Sequence, residues 1–524
     1  MKKQNFVKGT MILVVGGLIT RALGTIYRIF LSRMIGPEAI GLYQMSFPTL
    51  IMMITIVTAG LPIAVSKLVA EAEAEKDLAK VKKVLHIALS LVILISLIVS
   101  FLFYLLIPLI SKYFLTDERV YYTLIIIIPI IPIISISSVL RGYFQGKQNM
   151  IPSAMSTIIE TIFRMIFGMI FSLIGLEKGV EYASAGAMIG MVIGEMAGFL
   201  TLLIQYQFHK NENRPVQKQK LRPLLNQNEN IYHKINRIAL PVTTSQVIGS
   251  LAYFIEPSIV SHSLAIAGIS TAMATALYGQ LAGMALLVLF FPTVITYSLS
   301  LSLIPAISEA AARKEMSLVY KRLHQALNIA YMIGLPASVV MFIMADPLAN
   351  LLFATPQVGH LMKIMAPFAI FLYIQRPLAA TLQGLDQAKE SMKNSIIGAI
   401  AKTIAIFVLA SNPRFGIDGV AMAINLGMML VTVLHFRCIV HLIGYTIKLK
   451  PILTIGLSSL AMGYISYLVL SYAKFPFPLG IRMILSLVLS LIAYLYLLLL
   501  FKVIKKQDIA RIPWIGPGIA RILP

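Results

Sequence analysis

The chain has 524 residues, 58% of them hydrophobic and 12% charged, with a mean hydropathy of +0.85. Soluble domains carry roughly 25% charged residues, so a water-solvated fold is excluded for most of the chain and lipid is its solvent. The net charge of +23 fits nucleic acid or a membrane surface, and its placement in short loops between apolar runs decides against nucleic acid.

The N-terminus opens with Lys2, Lys3 and Lys8 before an apolar run, as a secretory signal does. That run contains Arg21 and Arg28 and lacks a small-residue cleavage site, so it reads as a retained first membrane helix. A crossing helix needs about 20 mostly apolar residues. The predicted spans are 9–32, 40–66, 84–111, 120–140, 150–175, 183–207, 238–260, 275–307, 323–345, 358–383, 394–411, 419–436, 451–473 and 483–501. The expected fold is therefore an all-α membrane protein of about fourteen transmembrane helices. With both termini in the cytoplasm, the only Lys and Arg in outer segments are Arg33, Lys112, Arg119, Lys178, Arg414, Lys474 and Arg482. Six more lie inside spans and the remainder of the 44 are cytoplasmic, as positive charge inside requires.

The longest polar stretch, 208–237, reads as a cytoplasmic linker. The tail 502–524 carries Lys502, Lys505, Lys506, Arg511, Arg521 and the single tryptophan, Trp514, and is expected on the inner membrane surface. Leu42-Tyr43, Glu71-Ala72, Phe144-Gln145-Gly146 and Gly179-Val180-Glu181 recur as Leu277-Tyr278, Glu309-Ala310, Leu382-Gln383-Gly384 and Gly416-Ile417-Asp418, at an offset of about 235–238 residues. The pattern predicts two parallel six-helix repeats plus two extra C-terminal helices. The expected organisation is an N-terminal lobe 1–207, the linker, a C-terminal lobe 238–445, helices thirteen and fourteen in 446–501, and the tail. Two such lobes put a cavity between them and suit a transporter.

Charge inside a membrane costs at least ~2.5–3.5 kcal/mol per group on insertion scales and marks functional candidates. The spans hold Arg21, Arg28, Glu160, Arg164, Glu195, Glu256, Lys363, Arg376 and Lys402, an excess of cations. Arg21 and Arg28 share one face of the first helix, with Gly24 between them. Glu160 and Arg164 have the i, i+4 spacing of an ion pair, read either as part of a substrate site or as a pair that lets a buried arginine exist. The repeat carries Arg164 onto Lys402, whereas Glu160 falls on Gly398. Glu195 reads as a coupling group or a buried protonated acid. Glu256 shares a face with Ser245, Gly249 and Tyr253. Lys363, near a helix end, reads as a snorkelling side chain, and Arg33 as an outer-interface residue.

Cys438 is the only cysteine, which excludes an intrachain disulfide and a cysteine-rich metal site. No phosphate-binding GxxxxGK[ST] loop, HExxH or GxSxG motif is present. An enzyme, a metal site and a cofactor are accordingly not expected. Energy would have to come from the membrane potential or an ion gradient.

The run Thr20-Arg21-Ala22-Leu23-Gly24 through Arg28, followed by Ser32-Arg33-Met34-Ile35-Gly36, resembles the first-helix pattern of the MurJ-type lipid II flippases. These belong to the superfamily of multidrug and toxin extrusion proteins and polysaccharide exporters. Gly60 through Glu71 and Ser137 through Met150 are similar to a sporulation branch of that superfamily tied to spore cortex peptidoglycan. The resemblance implies a flippase for an undecaprenyl-diphosphate-linked saccharide. Its partners would be that lipid-linked substrate, membrane lipids and peptidoglycan synthesis proteins, with no nucleic acid. It implies helix-one arginines facing a cavity, with Arg21 matching the family spacing and Arg28 displaced by one residue. Arg21, Arg28, Arg164, Arg376 and Lys402 are the expected diphosphate-binding cations, and Glu160, Glu195 and Glu256 the charge-pairing or coupling acids. A cation-coupled exporter of small drugs and a non-transporting scaffold of sporulation wall synthesis are the rival readings. The first should have an acid-rich interior.

Overall fold

In hydrocarbon every backbone N–H and C=O must be satisfied within the chain, which leaves helices or closed barrels. The computed structural model describes residues 6–58, 60–212, 231–471 and 478–503, and these contain helices and no strand. The middle of the predicted linker and the tail beyond 503, with Trp514, lie outside the described residues.

In chain order the helices are α1 (Phe6–Thr58), α2 (Leu61–Ala74), α3 (Leu78–Leu109), α4 (Val120–Gly146), α5 (Ile151–Leu176), α6 (Val180–Glu212), α7 (Ile231–Ile266), α8 (Thr271–Tyr278) and α9 (Leu286–Leu289). They continue as α10 (Thr293–Ala312), α11 (Met316–Ile343), α12 (Ala345–Phe353), α13 (Gln357–Met365), α14 (Ala369–Gly384), α15 (Ala388–Ala410), α16 (Gly416–Ile443), α17 (Leu449–Ser471) and α18 (Leu479–Leu500).

Among the described residues 14 segments are long and apolar enough to cross a membrane. That is the expected number, although the segments do not coincide one for one with the predicted spans. The first two predicted spans form one segment, Val15–Ala74, whereas the predicted span 275–307 is two, Thr271–Leu289 and Thr293–Ala312. Gly36 explains the first. Its φ of 78° and ψ of 174° interrupt α1, in a region that favours glycine. Arg28 lies 5.7 Å from the Phe47 ring, whereas a straight helix would separate these residues by about 28 Å. The chain therefore folds back at Gly36, and two helices stand where the apolar pattern expects two. The second difference is a break at Phe290-Phe291-Pro292, where Pro292 caps α10 and cannot donate a backbone hydrogen bond. The predicted span 40–66 is also interrupted, between Thr58 and Leu61.

The helices pack as two units, Met1–Gly279 and Gln280–Pro524. In the first, α7 and α8 join the six N-terminal helices, although the sequence repeat assigns them to the second half. Close backbone approach holds them there. A Cβ on Gly60 would sit 2.0 Å from the Ala239 carbonyl oxygen, and one on Gly41 2.0 Å from that of Thr275. The Gly60 N–H donates to Thr243 Oγ1 at 3.2 Å.

The tightest pairing is α5 with α6. Gly186, Gly190, Gly194 and Gly198 recur every fourth residue and line one face of α6. A Cβ on Gly190 would lie 2.2 Å from the Gly168 Cα, and one on Gly194 2.6 Å from the Glu160 carbonyl oxygen. Small residues let membrane helices touch backbone to backbone, and here they press the Glu195 segment onto Glu160.

In the second unit Gly427 of α16 faces Lys402 of α15, whose Cβ would be 3.0 Å from an added methyl. Gly194 of α6 similarly faces the Arg164 Cβ of α5, at 2.8 Å. A glycine beneath the fifth-helix cation in each half is consistent with the repeat. The apolar core of this unit joins Leu323, Leu327, Ile374, Leu378 and Ile439. Tyr373 donates to the Leu289 carbonyl at 2.9 Å and Tyr494 to that of Met332 at 2.8 Å, so both buried hydroxyls are satisfied, as burial demands. Leu453, Leu457, Leu460 and Tyr464 form an exposed stripe on α17, a face matched to lipid rather than water.

Candidate functional site

Glu160 of α5 is the centre of the most charged buried cluster described. Arg164, one turn on, donates Nη2 to Glu160 Oε1, making the expected i, i+4 pair. The other oxygen, Oε2, accepts from Arg141 Nη2 of α4 at 2.8 Å. Arg141 Nε also donates to Ser156 Oγ at 3.3 Å. One carboxylate thus neutralises half of the charge of two arginines. The Glu160 side chain is 6% exposed, while those of Arg141 and Arg164 are 25% and 23% exposed. Glu195 of α6, buried, stands beside Glu160 and within electrostatic reach of both arginines.

Sequence reasoning assigned Arg141 to a cytoplasmic loop. It sits instead in the last turns of α4, which runs on to Gly146. Its partner is 19 residues away on another helix, so no helical spacing reveals the pair. The signal available was its place in the Ser137–Met150 stretch.

Helix α1 brings a third arginine near this region. Tyr27 is buried, with its hydroxyl above Gly168. It is within electrostatic reach of Arg164 and of its chain neighbour Arg28, whose guanidinium lies 5.7 Å from the Phe47 ring. Arg28 is half-buried and Arg21 exposed. Glu256 of α7 is buried near Tyr253 and Tyr278. Arg33 is exposed.

In the second unit Arg376 is exposed and stacks 5.7 Å from the Tyr297 ring, and Lys402 is half-buried on α15. Lys363, read from its place near a helix end as a snorkelling side chain, is partly exposed and forms an ion pair with Asp346. No group of three or more His, Cys, Asp or Glu that could hold a metal occurs among the described residues.

A separate polar network ties together the fold near Gly36, the loop at Asp117 and helix α8 at Thr275. Arg119 Nη1 donates to Glu38 Oε1 at 2.6 Å and Nη2 to Asp117 Oδ2 at 2.9 Å. Thr275 Oγ1 donates to the same Asp117 oxygen at 2.7 Å. Burial opposes the charge on Asp117, but hydrogen bonds from Arg119 and Thr275 outweigh it and hold its carboxyl below the usual carboxylate range. Such a group stabilises the fold fully above its unfolded value, about 3.9 for aspartate, and the contribution is lost as pH falls through the lower folded value. The melting temperature of detergent-purified protein should exceed that of Asp117→Asn at neutral pH, with the gap closing below about pH 4. A gap unchanged down to the acid limit would remove Asp117 as its source.

A family profile described as Polysaccharide biosynthesis protein matches residues 6–309, and one described as MatE matches residues 269–408. Stage V sporulation protein B of Bacillus subtilis (strain 168) is 42% identical over 99% of this chain and 100% of its own length. Lipid II flippase MurJ of the same organism is 24% identical over 86% of each chain. Among solved structures, the inward closed conformation of a lipid II flippase MurJ superposes with a TM-score of 0.70 at 16% identity, covering 94% of this chain and 98% of that one. The inward-facing conformation of a multidrug resistance MATE family transporter of the MOP superfamily gives 0.64 at 18% identity, over 81% of this chain and 94% of that one.

Proposed function

The chain belongs to the polysaccharide biosynthesis protein family of membrane transporters and flippases, and from that premise we propose that it translocates an undecaprenyl-diphosphate-linked cell-wall precursor of the lipid II type across the cytoplasmic membrane, by alternating access, for spore cortex peptidoglycan. The observation that carries this reading is the pairing of Arg141 and Arg164 on the single buried carboxylate of Glu160 within apolar helices, which leaves cationic charge in excess there. Arginine holds phosphate oxygens through paired donors and keeps its charge when partly desolvated. Arg21, Arg28 and Arg164 are the proposed diphosphate ligands of the first unit, and Arg376 and Lys402 are the second unit's cations for the same kind of group. Glu160 holds the arginines between cycles, and Glu195 and Glu256 serve charge balance or coupling.

Purified protein in liposomes should move lipid II and simpler undecaprenyl diphosphates between leaflets, and should leave an undecaprenyl lipid without phosphate in place. Transport of cationic drugs with no effect on either diphosphate would replace this reading with the drug-exporter one. No transport of any of them would favour the scaffold.

Both termini and the linker are proposed to be cytoplasmic. In a Cys438→Ala background, an impermeant thiol reagent added to intact cells should label Ser270→Cys and not Gln227→Cys. The reverse labelling would overturn the topology.

A further inference from the structure

We infer that the Glu160–Glu195 carboxyl pair holds one exchangeable proton, and that this proton sets the positive charge that Arg141 and Arg164 present to an anionic lipid headgroup. The inference rests on the diphosphate reading above and assigns its regulation.

Each oxygen of Glu160 already accepts from an arginine, Oε1 from Arg164 and Oε2 from Arg141. Glu195 stands beside the same carboxylate, on the helix that Gly194 and Gly198 press onto Glu160. An ionised carboxylate only accepts hydrogen bonds. Two ionised carboxylates side by side in a buried site repel each other, and one proton held between them removes that repulsion. The glycine stripe of α6 allows the meeting, since Gly194 and Gly198 let the helix approach Glu160 closely.

Glu195 is 5% exposed, so water cannot screen it. Glu195 Oε2 accepts from no protein donor, and Arg164 Nε and the Tyr27 hydroxyl have no protein partner either. These buried atoms include two donors and an acceptor that the protein itself leaves unmatched. Native structures rarely leave buried polar groups so, and the mismatch marks a place where a proton, and the water that delivers it, find partners. The charged or titratable groups facing the pair are Arg141 from α4, Arg164 from α5 and, through Arg164, Tyr27 and Tyr43 from α1. No other carboxylate is among them.

The charge follows directly. With the proton held, Arg141 and Arg164 face one carboxylate and the cluster carries one net positive charge. When the proton leaves to water, the second carboxylate cancels it. A diphosphate binds the first state more tightly, and linkage requires that its binding draw the proton in and that loss of the proton favour release. Interaction between unit charges about 10 Å apart at an effective dielectric near 20 corresponds to roughly a tenfold change in affinity.

The test uses the full-length protein in nanodiscs with undecaprenyl diphosphate as the probe. Binding to the native protein should weaken roughly tenfold as pH is raised through the titration of the pair. Glu195→Gln, neutral and of the same shape as the protonated acid, should bind with the tighter affinity throughout. A native protein without pH dependence, or a Glu195→Gln variant that keeps it, would overturn the inference. Should neither protein bind the probe at any pH, the diphosphate reading fails separately, and infrared spectroscopy decides the proton. A protonated carboxyl stretch in the native protein that disappears in Glu195→Gln supports the shared proton, and a native spectrum without that band rejects it.

Discussion

Glu160→Gln is expected to lower the amount of folded protein sharply without weakening lipid binding per folded molecule, whereas Arg164→Gln should do both. The difference follows from the two arginines on one carboxylate. Removing the carboxylate leaves Arg141 and Arg164 without their shared anion, and stranding a buried charge in this way costs about 3–5 kcal/mol. The molecules that do fold keep both cations. Arg164→Gln also breaks the pair, but it removes a proposed ligand of the diphosphate. The repeat extends the comparison to Lys402, which stands over Gly427 as Arg164 stands over Gly194. Lys402→Arg should be tolerated better than Lys402→Gln because charge survives. Protein recovered from the membrane, and undecaprenyl diphosphate bound per folded molecule, separate the two effects. Undiminished binding in both Arg164→Gln and Lys402→Gln would remove these residues from the site.

Arg21→Ala should abolish function while leaving the protein in the membrane, and Arg33→Ala should be mild. Both side chains are exposed and both helical segments are apolar, so burial does not distinguish them. Position does. Arg21 lies seven residues before Arg28 on one face of the first helix, and Arg28 reaches the Tyr27–Arg164 region. Arg33 lies beyond, next to the fold at Gly36. A hydrogen bond to a charged group contributes about 1.5–3 kcal/mol, so losing Arg21 should weaken headgroup binding by tenfold or more. Complementation of a strain lacking the gene, with membrane levels measured in parallel, gives the readout. Equal tolerance of the two changes would sink the role assigned to the first helix.

Much of the architecture was legible in the residues because lipid imposes a one-dimensional code. A run of about 20 apolar residues must be a helix, so the number of crossing segments could be counted. The Glu160–Arg164 pair was visible because its partners are one helical turn apart. The glycine stripe of α6 was equally visible, since Gly186 to Gly198 recur every fourth residue, but its meaning depends on what lies opposite.

That opposite partner is what only the tertiary structure decided. Apolar pattern says where a helix runs, not how it is rotated or which helix it meets. Arg141, just past the predicted span 120–140, reads from the sequence as a loop cation, whereas α4 carries it against Glu160, and nothing in the local pattern pairs Lys363 with Asp346. The break at Phe290-Phe291-Pro292 was hidden because its residues are as apolar as the helices they separate. Glu38, Asp117, Arg119 and Thr275 converge from three distant stretches of chain. Hydropathy and periodicity are properties of one helix at a time, whereas a charge network exists only once several helices have fixed their rotation and register against one another.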